Sequence, residues 1–471
     1  MRDKDEAASG AGAVPETLAA RLAAIGDARP EHPAVVDGDT TLSYGALLRD
    51  SLALAAELRA RGADRGTHVA VALPNGAAFV VAFFAVARLG SVVVPLNPSL
   101  REEEIAPILT DAGVSLLVCS ASLRAESARA AAATGRMGPD AIVVMEDGAG
   151  ASPAGAGAVP LSVATADDPV IVLYSSGSTG GPRPVERTHR QLLWEADRLS
   201  AALALSPSDR VLGVTPFSHV NGLMRSMVAS VMSGATLVTA PQFERRAVGR
   251  LIDRQRVSVF VGVPFMFGVL GETRWPQPVD LGSLRCCLSS SAPLHPETSR
   301  QFHRRYGIHV RQLYGTTETG TISIDLDPDI ESHLDSVGRP LPEVRVEVFT
   351  ERGEPLSPGQ VGEIGISSAA AAREYRGRPE ESRRAFARGY FFPGDVGRWD
   401  REGRLYLVGR TSLFINRGGY KVNPQEVERV LEQHPAIREA AVLGVAARYG
   451  DQQVKAVVVL RAPCPEQDIV A

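Results

Sequence analysis

Lysine is nearly missing from this 471-residue sequence. Of its 50 basic residues, only Lys4, Lys421 and Lys455 are lysines. Any chemistry that needs a compact, movable ammonium therefore has very few candidates. Cysteine is almost as sparse. Four cysteines in a chain this long do not build a disulfide framework, and Cys286 and Cys287 are neighbours, so reduced thiols are expected. No strong excess of charge of either sign exists. A net charge of −4 gives no electrostatic case for nucleic acid or an anionic membrane as partner. Long apolar runs are absent too. The most apolar stretch, 79–94, is broken by Arg88 and Gly90 and is too short to span a bilayer. The first residues, MRDKDEAASGAGAVPE, carry acids early and no apolar block, unlike a secretory signal. The expected setting is cytoplasmic.

What is present is an ordinary globular composition, 44% hydrophobic and 22% charged, with material for more than one buried core. Length suggests roughly three domain-sized units. Residues 16–62 read as helix, short hairpin around Asp37-Gly38, and helix. HVAVALP, SVVVPL, VSLLVCS and AIVVME then read as buried strands, with a helix from Ala77 to Leu89 between the first two. Strands alternating with helices imply βαβ units and a largely parallel sheet. A Gly/Ala/Ser/Pro-rich loop covers 147–167, and a second alternating region runs from about 168 to 325. After SVGRPLP the pattern changes to short strands split by Gly-Pro turns, which predicts a small antiparallel barrel or sheet. From Arg410 a last small unit follows: a strand near Leu413, a helix from Pro424 to Gln433, then EAAVLGV and VKAVVVL as strands. The expected class is α/β. A large N-terminal domain over 1–409 divides into two βαβ-type sheet subdomains, about 1–167 and 168–325, and a small barrel-like one, 326–409.

The densest chemical signal lies in IVLYSSGSTGGPRPVERTH, Ile171 to His189. A strand feeds a loop rich in glycine and hydroxyls. Such a loop can present backbone N–H groups to a polyphosphate, and its glycines let the backbone approach without a Cβ in the way. Arg183 adds a fixed charge suited to phosphate oxygens. A Ser/Gly-rich loop alone is more often only a loop. The Gly-x-x-x-x-Gly-Lys-Ser/Thr pattern is missing, which removes support for a P-loop ATPase or kinase.

The order Tyr-Ser-Ser-Gly-Ser-Thr-Gly, then Pro182-Arg183, then Thr188-His189, resembles the signature of the adenylate-forming superfamily, and further segments extend the likeness over nearly the whole chain. The resemblance implies an AMP-forming acyl- or aryl-CoA synthetase that uses ATP, Mg2+ and CoA. It assigns Ser175, Ser176, Gly177, Ser178, Thr179, Gly180 and Arg183 to the phosphates. In QLYGTTETG it implies that Tyr314 stacks on adenine, Thr317 contacts the α-phosphate and Glu318 helps hold the metal. In SSSAPL, Ser291 edges the adenine, and Ser290 stands at a usual glycine position. Asp395 in YFFPGDVGRW is implied to accept the ribose hydroxyls, with Arg410 in LVGRTSLF beside it. TPFSHVNGL is similar to the acid-binding segment. His219 is implied to gate the acyl pocket and thiol tunnel, and Asn221, Gly315 and Gly320 to line that pocket. Asn221 stands where aryl-acid enzymes often carry an aromatic, which implies a wider or more polar pocket. INRGGYKVNPQEVERVLEQHPAIREAAVLGV is similar to the start of the family's C-terminal lobe, with Gly418, Gly419 and Tyr420 along the CoA thiol's path. A hinge at 410–413 and a mobile α+β lobe at 414–471 complete the expected organisation.

The sequence departs from the family in three places. Arg183 replaces the commonest lysine but keeps the charge. Ser412 holds the hinge position that usually carries Asp or Lys. Most important, the family's C-terminal lobe ends in a Gly-Lys segment whose lysine bridges the acid and the α-phosphate. Here no lysine follows Lys455 and no glycine follows Gly450. The alternating pattern around Lys455 predicts an exposed strand position, a poor place from which to substitute. Loss of one preorganised charge of this kind lowers a rate about 10²–10³-fold. The expectation is a lobe without its usual end, an impaired adenylation step and a competent thioester step, unless the sequence itself is shortened. A separate adenylating enzyme could then supply the acyl-adenylate. Two other readings stand beside this one: a stand-alone adenylating enzyme that loads a carrier protein, and a non-catalytic nucleotide or acyl-ligand binder. The carboxylic acid itself is not encoded in any motif.

Overall fold

The computed structural model describes residues 17–145, 164–175, 182–411, 415–417, 420–446, 452–462 and 464. The chain divides into two compact units. One comprises Met1–Leu173 with Glu186–Val259; the other comprises Tyr174–Val185 with Phe260–Ala471.

In the first unit, helix Leu18–Ala28 starts where the Thr17 side chain accepts from Ala20 N at 3.2 Å, and helix Tyr44–Ala60 starts where Ser43 accepts from Ala46 N at 3.2 Å. Between them lies the expected hairpin, Pro33–Asp37 with Thr40–Ser43, turning at Gly38 with φ +61°. Strands His68–Ala72, Val92–Pro95, Leu116–Ser120 and Ile142–Met145 pair in parallel, and Pro169–Ser175 joins beside Val92–Pro95. Their continuous apolar sequences fit a sheet covered on both faces. Helix Ala77–Arg88 is buried at every residue but Ala78 and packs into the core with Phe79, Phe83 and Phe84. A second parallel set in this unit places Thr236–Thr239 between Pro33–Asp37 and Arg210–Gly213. Helix His189–Ala202 opens with a reciprocal cap. Thr188 accepts from Gln191 N at 3.3 Å, and Gln191 Oε1 accepts from Thr188 N at 2.8 Å.

In the second unit, Cys286–Ser289 runs parallel to Val310–Thr316. That strand turns back antiparallel into Gly320–Ile324, which pairs with Arg339–Pro340. The expected antiparallel region is a six-stranded sheet over residues 345–410, built on Arg345–Phe349, Gly362–Ser367, Asp395–Trp399 and Leu405–Arg410 with two short strands at 386–391. Beyond it come the hairpin Ile415–Arg417 with Tyr420–Val422, helix Pro424–Glu432, and a long hairpin, Ile437–Ala446 with Gln452–Leu460. Leu413, where a strand was expected, lies outside the described residues, and the strand begins at Ile415. Lys455 is exposed opposite Leu443, as its alternating sequence predicts. Among the described residues, no helix is long and apolar enough to cross a membrane.

Candidate active site

Strand Pro169–Ser175 leads into the phosphate-loop segment. Ser175 is half-buried, and its Oγ makes no hydrogen bond among the described residues. Ser176, Gly177, Ser178, Thr179 and Gly180 lie outside the described residues. The chain resumes at Pro182. Arg183 to Val185 are then fastened to segment 372–382 of the same unit. Val185 bridges to Tyr375, and Arg376 N donates to Pro184 O at 3.0 Å. Arg183 Nε donates to Glu381 Oε2 at 2.5 Å, and its guanidinium carbon lies 5.2 Å from the centre of the Tyr375 ring. Partial burial lowers the Arg183 pKa, but the bond to Glu381 and the neighbouring Tyr375 outweigh it and raise the pKa overall.

Tyr375 also reaches the carboxylate expected to serve the metal. Its hydroxyl donates to Glu318 Oε1 at 3.0 Å, and Ala372 N donates to Glu318 O at 2.7 Å. Burial first, and the Glu318 charge second, push the Tyr375 phenol upward, so it remains a donor. Glu318 is itself buried, at 7% exposure, in the turn that joins strands Val310–Thr316 and Gly320–Ile324. Within that turn the Thr316 hydroxyl accepts from Thr319 N at 3.1 Å; Thr317 is half-buried, and Gly320 takes the left-handed φ of +74°. Among the described residues no three His, Cys, Asp or Glu side chains converge. One buried, oriented carboxylate is a donor set that fits Mg2+, which commonly takes one or two carboxylates and completes its shell with phosphates and water.

On the strand of Tyr314, a register shift falls between Tyr314 and Gly315. Gly315 is half-buried. Tyr314 is buried, and its hydroxyl donates to Asp395 Oδ2 at 2.5 Å. Arg410 Nε donates to the other oxygen, Oδ1, at 2.7 Å. Asp395 and Arg410 face each other across an antiparallel pair, so the ladder itself sets this contact. Asp395 is 5% exposed, whereas the Arg410 side chain is half open to solvent. Burial, followed by the Asp395 charge, raises the Tyr314 phenol well above its usual range. Ser290 is buried with its N–H on Gly262 O at 3.1 Å. Ser291 is exposed and takes φ +72°, a left-handed backbone that is uncommon for serine.

His219 and Asn221 belong to the first unit. The turn before them is clamped by buried Asn75, whose Nδ2 donates to Thr215 O at 2.8 Å and whose Oδ1 accepts from Phe217 N at 2.9 Å. Asn221–Val228 then forms a π-helical turn. A Cβ on Gly222 would lie 2.2 Å from Thr215 O, so only glycine fits. His219 is exposed, yet enough protein crowds its ring that lost hydration lowers the imidazole pKa. Asn221 is buried and accepts from Arg225 Nη1 at 3.3 Å. Arg225 is itself buried, which lowers its pKa to about 10, and the buried pair Arg187–Glu195 (2.8 Å) contributes the nearby charges.

The structure thus brings Arg183, Tyr314, Glu318, Asp395 and Arg410 into one unit. Ser412, Gly418 and Gly419 lie outside the described residues, and of Tyr420 only the backbone, at the start of strand Tyr420–Val422, is described. Sequence reasoning missed Asn75, Arg225, Tyr375 and Glu381. The string EYRGRPEES holding the last two carries no chemical pattern of its own.

The chain matches the family model described as AMP-binding enzyme over residues 22–376. A feruloyl-CoA synthase from Amycolatopsis sp is 33% identical over 432 residues, covering 91% of this chain and 86% of that protein. A sulfoacetate–CoA ligase from Cupriavidus necator is 32% identical over 456 residues, covering 95% and 88%. The ATP-bound crystal structure of MatB from Rhodopseudomonas palustris matches with a TM-score of 0.87 at 28% identity, covering 97% of this chain and 91% of that one. O-succinylbenzoate coenzyme A synthetase from Bacillus subtilis in complex with AMP matches at 0.83 and 27%, covering 95% and 90%.

Proposed function

The chain belongs to the AMP-binding enzyme family and is an AMP-forming acid–thiol ligase, and we propose that this polypeptide is strong in thioester formation and weak in adenylation. The overall reaction has two steps. A carboxylate oxygen attacks the α-phosphorus of ATP, the bond to the bridging oxygen breaks, and pyrophosphate leaves. The CoA thiolate then attacks the acyl carbon, and AMP leaves with the electron pair of the C–O bond.

The ribose-binding role proposed for Asp395 serves both steps, because acyl-adenylate and ATP share the ribose. Asp395 is pre-oriented by Tyr314 and Arg410. Each carboxylate oxygen has a further lone pair for a ribose hydroxyl. Glu318, oriented by Tyr375, is the proposed protein ligand of Mg2+, which when bound neutralises phosphate charge. Arg183 is the proposed phosphate cation and Tyr314 the proposed adenine platform. His219, kept neutral by its lowered pKa, and the glycines Gly418 and Gly419 are assigned to the acyl and thiol path. We assign 410–413 as the hinge and 414–471 as a lobe that turns between the steps.

The observation that carries the asymmetry is Lys455. It stands exposed on strand Gln452–Leu460 opposite Leu443. An exposed lysine side chain on a strand is not held in one direction, which is what a preorganised charge at the α-phosphate requires. A separate adenylating enzyme is the proposed source of acyl-adenylate. The test measures the half-reactions separately over a panel of acids. Acid-dependent exchange of pyrophosphate into ATP should run about 10²-fold or more slower than thioester formation from synthetic acyl-adenylate and CoA. Comparable rates would refute the asymmetry and leave an ordinary two-step ligase.

A further inference from the structure

Arg183 has been treated as the loop cation that meets polyphosphate, yet the structure gives it an anion already. Its Nε donates to Glu381 Oε2. The Arg183 side chain is 23% exposed and that of Glu381 37%, so neither charge is sealed from solvent and the pair can open without leaving a dry, unpaired charge. Glu381 lies in the first turn of helix Pro379–Ala385. The backbone around the pair is held independently of it. Val185 bridges to Tyr375, Arg376 N donates to Pro184 O, Tyr375 N donates to the Ser382 hydroxyl at 3.0 Å, and that hydroxyl donates to Arg378 O at 2.7 Å. The ion pair can therefore exchange partners while the strand and the helix stay in place. The Tyr375 ring beneath the guanidinium also stays, since its hydroxyl is fixed on Glu318.

We propose that Glu381 is an exchangeable counter-anion for Arg183: it holds the guanidinium until the polyphosphate of ATP replaces it. Glu381 acts through Arg183 in this proposal, so it is a positioning residue. It keeps the long arginine side chain in one place before ATP arrives, and it opposes ATP by the strength of the pair it must give up. The inference rests on the assignment of Arg183 to the phosphates.

The two effects have different signatures. In Glu381→Gln the competing charge is gone and the side chain keeps its shape. ATP should bind about threefold to fivefold more tightly, the size expected of a partly exposed ion pair. Arg183→Gln should weaken ATP by at least that factor. In the Arg183→Gln background, the Glu381→Gln change should have no effect, because the anion then has nothing to release. Binding of ATP would be measured by calorimetry on the full chain for the wild type and every variant, with melting temperatures recorded alongside. Glu381→Ala serves as the second variant and should behave like Glu381→Gln. Glu381 variants that bind ATP no more tightly than the wild type, or a gain that survives in the Arg183→Gln background, would overturn the exchange. Wild-type binding with an Arg183→Gln variant of equal affinity would remove the phosphate role of Arg183, and the exchange with it. A gain in affinity that vanishes with Arg183, at unchanged melting temperature, is the expected result and separates exchange from a purely structural ion pair.

Discussion

Asp395 accepts one hydrogen bond on each oxygen from its own protein, from Tyr314 and from Arg410, while remaining buried. Its charge is therefore fixed in direction before any ribose binds. Asp395→Asn keeps the shape but removes the charge and forces one oxygen to become a donor facing Tyr314 or Arg410. A charge-assisted hydrogen bond is worth about 1.5–3 kcal/mol, so the KM for acyl-adenylate should rise about tenfold to a hundredfold in the thioester assay. A KM within twofold of wild type would remove Asp395 from the ribose site. At the residue scale the sequence marks a candidate only where a local string points to it. Glu318, Asp395 and Arg183 each sit in such a string. Tyr375 does not: its partner Glu318 is 57 residues away, and the Arg183–Glu381 pair spans 198. Folding makes those pairs, and nothing local announces them. The unusual backbone of Ser291 was equally hidden, since a run of three serines does not say which one turns left-handed.

At the scale of elements, the buried histidine at the head of helix His189–Ala202 ties two helices of the first unit together. Leu18 N, in the first turn of helix Leu18–Ala28, donates to His189 Nδ1 at 3.3 Å. That bond requires an unprotonated Nδ1. Burial lowers the imidazole pKa from 6.5 to about 4, against a smaller opposing pull from Asp168. The unfolded chain therefore takes up a proton near pH 6.5, and the folded chain does not until about pH 4. The stabilisation is complete above pH 6.5 and is lost progressively as the pH falls toward 4, in all about 3 kcal/mol for this group. Denaturant midpoints measured from pH 7 to 4.5 should fall steeply for the wild type. They should fall less for His189→Asn, which keeps an acceptor and loses the titration. Parallel pH profiles for the two proteins would show that His189 does not couple folding to protons. Elements themselves were the most readable level: the hairpin at Gly38, the helix starting at Ala77 and the helix starting at Pro424 follow from turn residues, apolar runs and capping. The π-helical turn at Asn221–Val228 was not readable, because nothing in the string HVNGLMRS separates it from an ordinary helical turn.

For the whole molecule, lysine scarcity turns the mechanistic question into an experiment that few enzymes permit. Replacing Lys4, Lys421 and Lys455 together by arginine makes a chain with no lysine at all. Lys455 is exposed on an open strand, and arginine preserves charge and solubility there, so that change is expected to fold. Arginine is a poor mimic of a compact ammonium placed between a carboxylate and a phosphate, because its planar fork needs a different geometry. If none of the three lysines performs that task, the lysine-free chain keeps both half-reactions within about twofold of the wild type, since substitutions away from a site leave rates nearly unchanged. If pyrophosphate exchange instead drops more than tenfold while thioester formation holds, one of the three is the adenylating group. The single lysine-to-arginine variants then identify it, and the proposed imbalance between the two steps fails. A fall in thioester formation alone would point to Lys421, whose neighbours Gly419 and Tyr420 are assigned to the thiol path. The outcome thus decides whether one of these three lysines carries adenylation or none of them does.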